Sequence, residues 1–236
     1  CLNSVKWADE IVVVDSLSSD RTLELAKQYT DRVFSREFKD YADQKNYALS
    51  LAQGEWVLSL DADEEVTEDL REEILSVTTD PKADEAYRIR RESFIFGRKF
   101  RYSGTQNDRP IRLWRRGKAR YQQPIHEVVD VEGRVGTLAS LLIHSPYQQV
   151  SEYLEKFNRY TTLEARFLKG KGHRLSWIDF VLRPCVLWLK LFVLQQGFRD
   201  GWEGFCFCFL SSFYVVIKYA KYGELLQHGG MVHGLA

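Results

Sequence analysis

The sequence predicts an α/β fold with a mostly parallel sheet, followed by a helical appendage. Three observations carry that reading. Short β-branched runs alternate with stretches of helical spacing through the first third of the chain. Two of those runs end in aspartates, and the last third turns strongly apolar.

The elements follow in order. Leu2, Val5 and Trp7 have helix-like spacing and lead straight into residues 11–14 (Ile-Val-Val-Val), a strand expected to be buried on both faces. A chain that opens this way, without an initiator methionine, is expected to lack its first strand. Ser18, Ser19 and Asp20 supply helix-start chemistry for Leu23, Ala26 and Tyr29. Residues 32–35 read as a short strand, and residues 41–52 as a helix stopped by Gly54. Residues 56–60 form a buried strand that runs into Asp61. Thr67 can cap a helix whose first turn carries Glu68 and Asp69, favourable for its dipole, and whose core side is Leu70, Ile74 and Leu75.

Residues 87–100 and 111–114 read as strands rich in arginine and aromatics, punctuated by Gly97, Gly104, Gly117 and Gly133. Val150, Tyr153, Leu154, Phe157, Tyr160 and Thr161 mark an amphipathic helix. Residues 177–196 form an apolar helix with one polar stripe, because Asp179, Arg183 and Lys190 fall within about 40° of one another. Pro184 is expected to kink it. The apolar run 205–217 is shorter than the ~20 residues that span a bilayer, which favours an interfacial hairpin over a spanning helix. Trp177, Trp188, Trp202 and three tyrosines suit a headgroup boundary, and Arg183, Lys190, Lys218 and Lys221 suit anionic lipid. The division expected is a catalytic domain over 1–145 and a membrane-associated helical region over 146–236.

Bulk composition narrows the function. With 236 residues and 44% hydrophobic content, the chain can bury a full core. A net charge of zero gives no ground for a nucleic-acid partner. Yet twelve Lys and Arg between Arg88 and Arg120 face only Glu92 and Asp108, a local positive field that suits phosphate. The four cysteines (Cys1, Cys185, Cys206, Cys208) lack metal-site spacing and read as packing residues in a reducing compartment.

Open α/β sheets bind ligands at the carboxyl ends of their strands. Asp15 ends one strand here, and Asp61 and Asp63 follow another. Carboxylates so placed repel, and a divalent cation such as Mg2+ or Mn2+ relieves the repulsion with hard oxygen ligands. The plainer alternative is that Asp61, Asp63, Glu64 and Glu65 form a solvated acidic turn.

Val13-Val14-Asp15-Ser16 with Ser18, Ser19, Asp20 and Thr22 resembles the nucleotide-binding segment of family 2 glycosyltransferases. Gln44-Lys45-Asn46-Tyr47-Ala48-Leu49, Gly54-Glu55-Trp56-Val57 and Leu60-Asp61-Ala62-Asp63-Glu64 resemble the next segments, in the family's order. The likeness covers residues 5–127 and is nearest to bacterial lipopolysaccharide-core enzymes that add glucose to the inner core. It implies a GT-A (nucleotide-diphospho-sugar transferase, Rossmann-like) fold. It further implies transfer of a single sugar from a nucleotide-diphosphate donor, UDP-glucose, to a glycolipid acceptor at the cytoplasmic face of the inner membrane.

The resemblance also implies roles. Asp15, Ser16, Ser18, Lys45 and Asp61 would meet the donor. Asp63, with Asp61, would hold the metal. Glu127, in Pro124-Ile125-His126-Glu127, would be the catalytic base, with Asp108 the second candidate. Arg112, Trp114 and His126 are candidates for acceptor or phosphate contact, and Arg98, Lys99 and Arg101 for a phosphorylated glycolipid or the membrane surface. No Gln-x-x-Arg-Trp motif of processive synthases is present, which fits single-sugar transfer. Transfer to a polyprenyl-phosphate carrier, and a non-catalytic membrane module that keeps the fold, are the alternatives.

Overall fold

Strand β1 (Val13–Asp15) and strand β2 (Val33–Ser35) open the fold as a parallel pair, Val13 opposite Val33 and Asp15 opposite Ser35. Helix α1 (Thr22–Ala26) makes the crossover, as parallel strands require. The helix-start chemistry is used one step late: the Asp20 carboxylate accepts the Thr22 N–H at 2.9 Å. This computed structural model describes residues 1–122 and 128–230. Their backbone separates into two units, the first formed by residues 1–92 and 108–144, the second by 93–107 and the chain from 145 onward.

In the first unit, helix α2 (Tyr41–Leu51) starts at Asp40, whose carboxylate accepts the Asp43 N–H at 2.8 Å. It leads to β3 (Trp56–Leu58) and, past a tight turn, to β4 (Glu64–Val66). Thr67 caps helix α3 (Glu68–Thr79) as its sequence demands, accepting the Leu70 N–H at 3.2 Å. Then come β5 (Ala86–Ile95), the two-residue β6 (Arg98–Lys99), β7 (Ile111–Arg115), β8 (Ala119–Gln122), β9 (Val128–Val131) and β10 (Val135–Tyr147). The larger sheet runs β3-β7-β5-β10-β4, with β6 beside β5; β8 and β9 form a separate ribbon.

The sheet is mixed rather than mostly parallel. The β3–β7, β5–β7 and β10–β4 pairs are all antiparallel. Strand–helix alternation predicts parallel pairing only where a helix crosses over, and beyond α3 the described strands are separated by no α-helix, only by the three-residue 3-10 turn Thr105–Asn107. Leu70, Ile89, Leu113 and Leu142 fill the core at 0 to 1% exposure. Leu75, expected beside them, is 42% exposed; α3 turns it away while Ile74 points inward.

In the second unit, β5 turns into β6 through Phe96 and Gly97, both with positive φ (54° and 76°). A two-residue hairpin loop of this hand matches the strand twist, and it places a bulky residue where glycine or asparagine is commoner. Helix α4 (Val150–Lys171) ends on Gly172, left-handed as a helix stop. The apolar segment expected as one helix kinked at Pro184 is broken earlier. Helix α5 (Trp177–Phe180) stops at Val181, helix α6 (Leu182–Trp188) restarts there, and a π-helical turn covers Leu189–Leu194. Pro184 sits in the first turn of α6, where a missing N–H costs nothing. Helix α7 (Gly201–Gly230) closes the described chain. At 30 residues it is far longer than the apolar run inside it suggested, and by length and composition it could cross a bilayer.

Leu70→Ala should cost about 2–5 kcal/mol in urea denaturation, because it empties a fully enclosed site. Leu75→Ala should stay within about 0.5 kcal/mol of the parent.

Candidate active site

The carboxyl ends of β1 and β3 and the start of α2 converge, as the fold class requires of a ligand site. At the end of β1, Asp15 is 5% exposed and one carboxylate oxygen accepts the Ser18 N–H at 2.9 Å, which folds the loop after the strand. Ser16 Oγ accepts from Gln44 Nε2 of α2 at 3.0 Å. One residue on, Lys45 Nζ lies 2.9 Å from Asp61 Oδ1 and 5.1 Å above the Tyr121 ring. Asn46 anchors the helix by pairing both side-chain ends with the Tyr121 backbone, at 2.9 and 3.0 Å. Lys45 and Asp61, distant in sequence, are thereby held together.

The turn from Asp61 to Glu64 is built around a buried charge network. Arg112 on β7 is 4% exposed, and its Nη2 donates to Asp61 Oδ2 and to Glu64 Oε1, both at 2.5 Å. Glu64, 1% exposed, also receives the Asp61 N–H at 2.9 Å and Arg91 Nη1 at 3.2 Å. Arg91 in turn binds Asp108 at 2.7 Å. Asp63 points elsewhere: its Oδ1 is 3.9 Å from Nε2 of His144, which lies on β10 directly opposite Glu64.

Electrostatics follow from this packing. Burial works against the charge on Asp61, but Arg112 and Lys45 outweigh it and hold the carboxyl well below its usual range. Glu64 moves the other way, pushed up by burial and by the Asp61 charge against the pull of its arginines. Burial disfavours the Arg112 charge, yet Asp61 and Glu64 more than restore it. His144 is depressed to about 4 by burial and by Arg91, so its ring is neutral at pH 7.

The structure thus gathers Asp61, Asp63, Lys45 and Asp108 from the sequence-derived set and adds Glu64, Arg91 and His144. Two acceptor candidates are corrected. Trp114 is 1% exposed, packed edge-on to Tyr121, and has no face for a sugar. Arg112 is enclosed between two carboxylates and is not available to an acceptor phosphate. Glu127 and His126 lie outside the described residues. Glu64 was legible in principle, since strand alternation from Glu64 to Val66 puts it on the inner face while Glu65 is exposed. His144 has no local signal; only the register of β10 against β4 brings it in.

Among the described residues no cluster of three or more metal-binding side chains is present. Asp63 and the neutral His144 stand 3.9 Å apart, and carboxylate and imidazole are ligand types that a divalent ion such as Mn2+ accepts. Asp61 is committed to two cations and is the poorer ligand. A recess of about 800 Å3 lined by Lys6, Gln28, Arg32 and Gln53 lies at the amino ends of β1, β2 and β3, away from these groups.

Arg112→Ala would take the shared cation from two carboxylates and leave buried Glu64 with Arg91 alone as its charged partner. A loss of about 3–5 kcal/mol in urea denaturation is expected.

Residues 1–135 match the description of glycosyl transferase family 2. The chain is 30% identical over 229 residues to the lipopolysaccharide core biosynthesis glycosyltransferase LpsC of Rhizobium meliloti, covering 94% of this chain and 85% of that one. It is 29% identical over 244 residues to an uncharacterised glycosyltransferase of Rickettsia prowazekii, covering 95% and 81%. Among solved structures, Staphylococcus aureus TarS (residues 1–349) aligns with a TM-score of 0.46 at 13% identity, over 93% of this chain and 86% of that one, a likeness too distant to bear on function. With its GT-A type α/β catalytic region and its carboxyl-terminal helices, this chain is a glycosyltransferase that belongs to glycosyl transferase family 2.

Proposed function

We propose that the chain transfers one glucose from UDP-glucose to a lipopolysaccharide-core acceptor, with inversion and with help from Mg2+ or Mn2+, at the cytoplasmic face of the bacterial inner membrane. The observation that carries this reading is the likeness to LpsC. It extends over 94% of the chain, well past the family match at residue 135, and so includes the carboxyl-terminal helices as well as the catalytic region. On this reading residues 1–145 are the catalytic domain and residues 146–236 bring it to the membrane.

The residues divide the work as follows. Asp15, with Ser16 and Ser18 on the loop that it folds, meets the base and ribose. Lys45 and Asp61, already paired, line the path to the diphosphate. Asp63 and His144 would hold the metal, which would supply Lewis acidity toward the departing diphosphate. Glu127 takes the proton from the acceptor hydroxyl as its oxygen attacks the anomeric carbon and UDP leaves. Asp108 is the weaker candidate for the base because its carboxylate is tied to the Arg91 guanidinium and would have to leave that pair to reach an acceptor hydroxyl.

Titration calorimetry with UDP, run with and without Mn2+, tests the donor site. Metal-dependent binding that Asp63→Ala abolishes is expected; equal binding without metal, or by the variant, contradicts the metal role. Glu127→Gln should leave UDP affinity unchanged and lower kcat by about 10²–10⁴-fold, and Asp108→Asn should fall short of that loss. A larger loss in Asp108→Asn would transfer the base to Asp108.

A further inference from the structure

The second unit exposes an aromatic stripe that its own helices cover only in part, Phe157 of α4 meeting Phe213 and Phe192 meeting Phe205. On α7, Trp202, Phe205, Phe209 and Phe213 are 62, 47, 51 and 43% exposed. At 100° per residue they fall within about 80° of one another. The rings stack along the helix, Phe205 on Phe209 and Phe209 on Phe213, each pair with centroids 6.3 Å apart. Where α7 begins, Leu194 (76%) and Phe198 (54%) enlarge the same apolar surface, joined to it through Phe192, whose ring meets both Phe198 and Phe205.

The other side of α7 is occupied. Tyr214 donates to Glu164 of α4 at 2.7 Å, Lys218 pairs with the same carboxylate at 2.9 Å, and Lys221 binds Asn158, Thr161 and Thr162. These residues lie about 150° round the helix from the aromatic stripe. Helix α4 carries Glu152, Glu155, Arg159 and Arg166 in exposed positions. A spanning α7 would drag that charged helix into hydrocarbon with it, at prohibitive cost. Although α7 is long enough to span, one side of it is covered by charged α4 and the other is open.

The cations sort in the same way. Lys218 and Lys221 are consumed by α4, and Arg183 by Asp179 at 2.8 Å. Other exposed cations stand along α4 and after it, Arg159, Arg166, Lys169 and Arg174 among them, and Arg101 and Arg199 stand beside the start of α7. Arg199 lies 4.4 Å over the Tyr102 ring, and the Arg101 and Tyr102 N–H groups both donate to Asp200 at 3.1 Å. That aspartate is 2% exposed, and Glu203 is paired with Arg98, so the acids there are withdrawn from the surface.

We propose that this end of the helical unit docks on an anionic phospholipid bilayer: the α7 aromatic stripe with Leu194 and Phe198 enters the acyl–headgroup boundary, and Arg101 and Arg199 meet lipid phosphates. This rests on the membrane reading above and specifies its surface, depth and lipid charge. Charge complementarity selects the occupant. A bilayer offers phosphates beside hydrocarbon, whereas a second copy of the chain would set like charges against each other.

The test is co-sedimentation of the full chain with vesicles of phosphatidylcholine alone or mixed with phosphatidylglycerol. Binding to the mixed vesicles that weakens with salt is expected. Arg101→Gln and Arg199→Gln should each weaken it about fivefold, and Leu194→Glu with Trp202→Glu should abolish it while circular dichroism stays unchanged. Equal binding to both vesicles, undiminished binding by the glutamate variant, or a parent dimer that this variant breaks without any vesicle binding would each overturn the proposal. UDP calorimetry on the same variants without vesicles reads the donor site independently, so failure of the lipid surface and failure of the sugar-transfer reading are told apart.

Discussion

One guanidinium holds the turn after β3 in shape. Arg112, almost fully enclosed on β7, faces two carboxylates separated by one turn of chain, Asp61 and Glu64. Without it the turn would hold unbalanced negative charge at the end of a buried strand. With it, Asp61 stays ionised, Glu64 can be buried, and Asp63 is left pointing toward His144. Glu64 extends the network by collecting Arg91, and Arg91 collects Asp108. Five strands or their ends, β3, β4, β5, β7 and β10, are thereby tied to one small volume. The pairs are there for geometry more than for stability, since replacing a buried ion pair with apolar groups is often neutral whereas breaking one is not.

The sequence made the early elements readable because local chemistry and tertiary structure agree in them. The Thr67 cap, the α2 helix and the strand before Asp61 all stand where their residues place them. Agreement fails where partners come from far along the chain. Trp114 is an aromatic in a basic strand, which suggests a sugar platform, yet the β3–β7 register buries it. Glu64 and Glu65 are identical in type, and only the pleat separates the buried one from the exposed one. His144 sits within an apolar strand without any motif, and nothing short of the β10–β4 pairing could have found it.

The apolar third shows a different limit. Composition marked residues 177–196 as one helix and Pro184 as its weak point, but proline in a first turn is harmless and the break falls at Val181. The capping box of Ser176 and Asp179 starts α5, and Asp179 also binds His173 and Arg183, so the polar stripe serves internal pairing. The same holds for Lys218 and Lys221, which sequence alone assigned to lipid. What composition could not distinguish was which face of α7 its neighbour α4 already covers.

The central claim is sugar transfer to a core glycolipid, and the direct measurement is the fate of the sugar. Radiolabelled UDP-glucose would be incubated with the chain, a divalent metal and core lipid either carrying or lacking inner-core heptose, with polyprenyl phosphate as the competing acceptor. Label is expected in the heptose-bearing lipid alone, in the β configuration opposite to that of the donor. Label in polyprenyl phosphate, or UDP bound tightly with no label in any lipid, would contradict it.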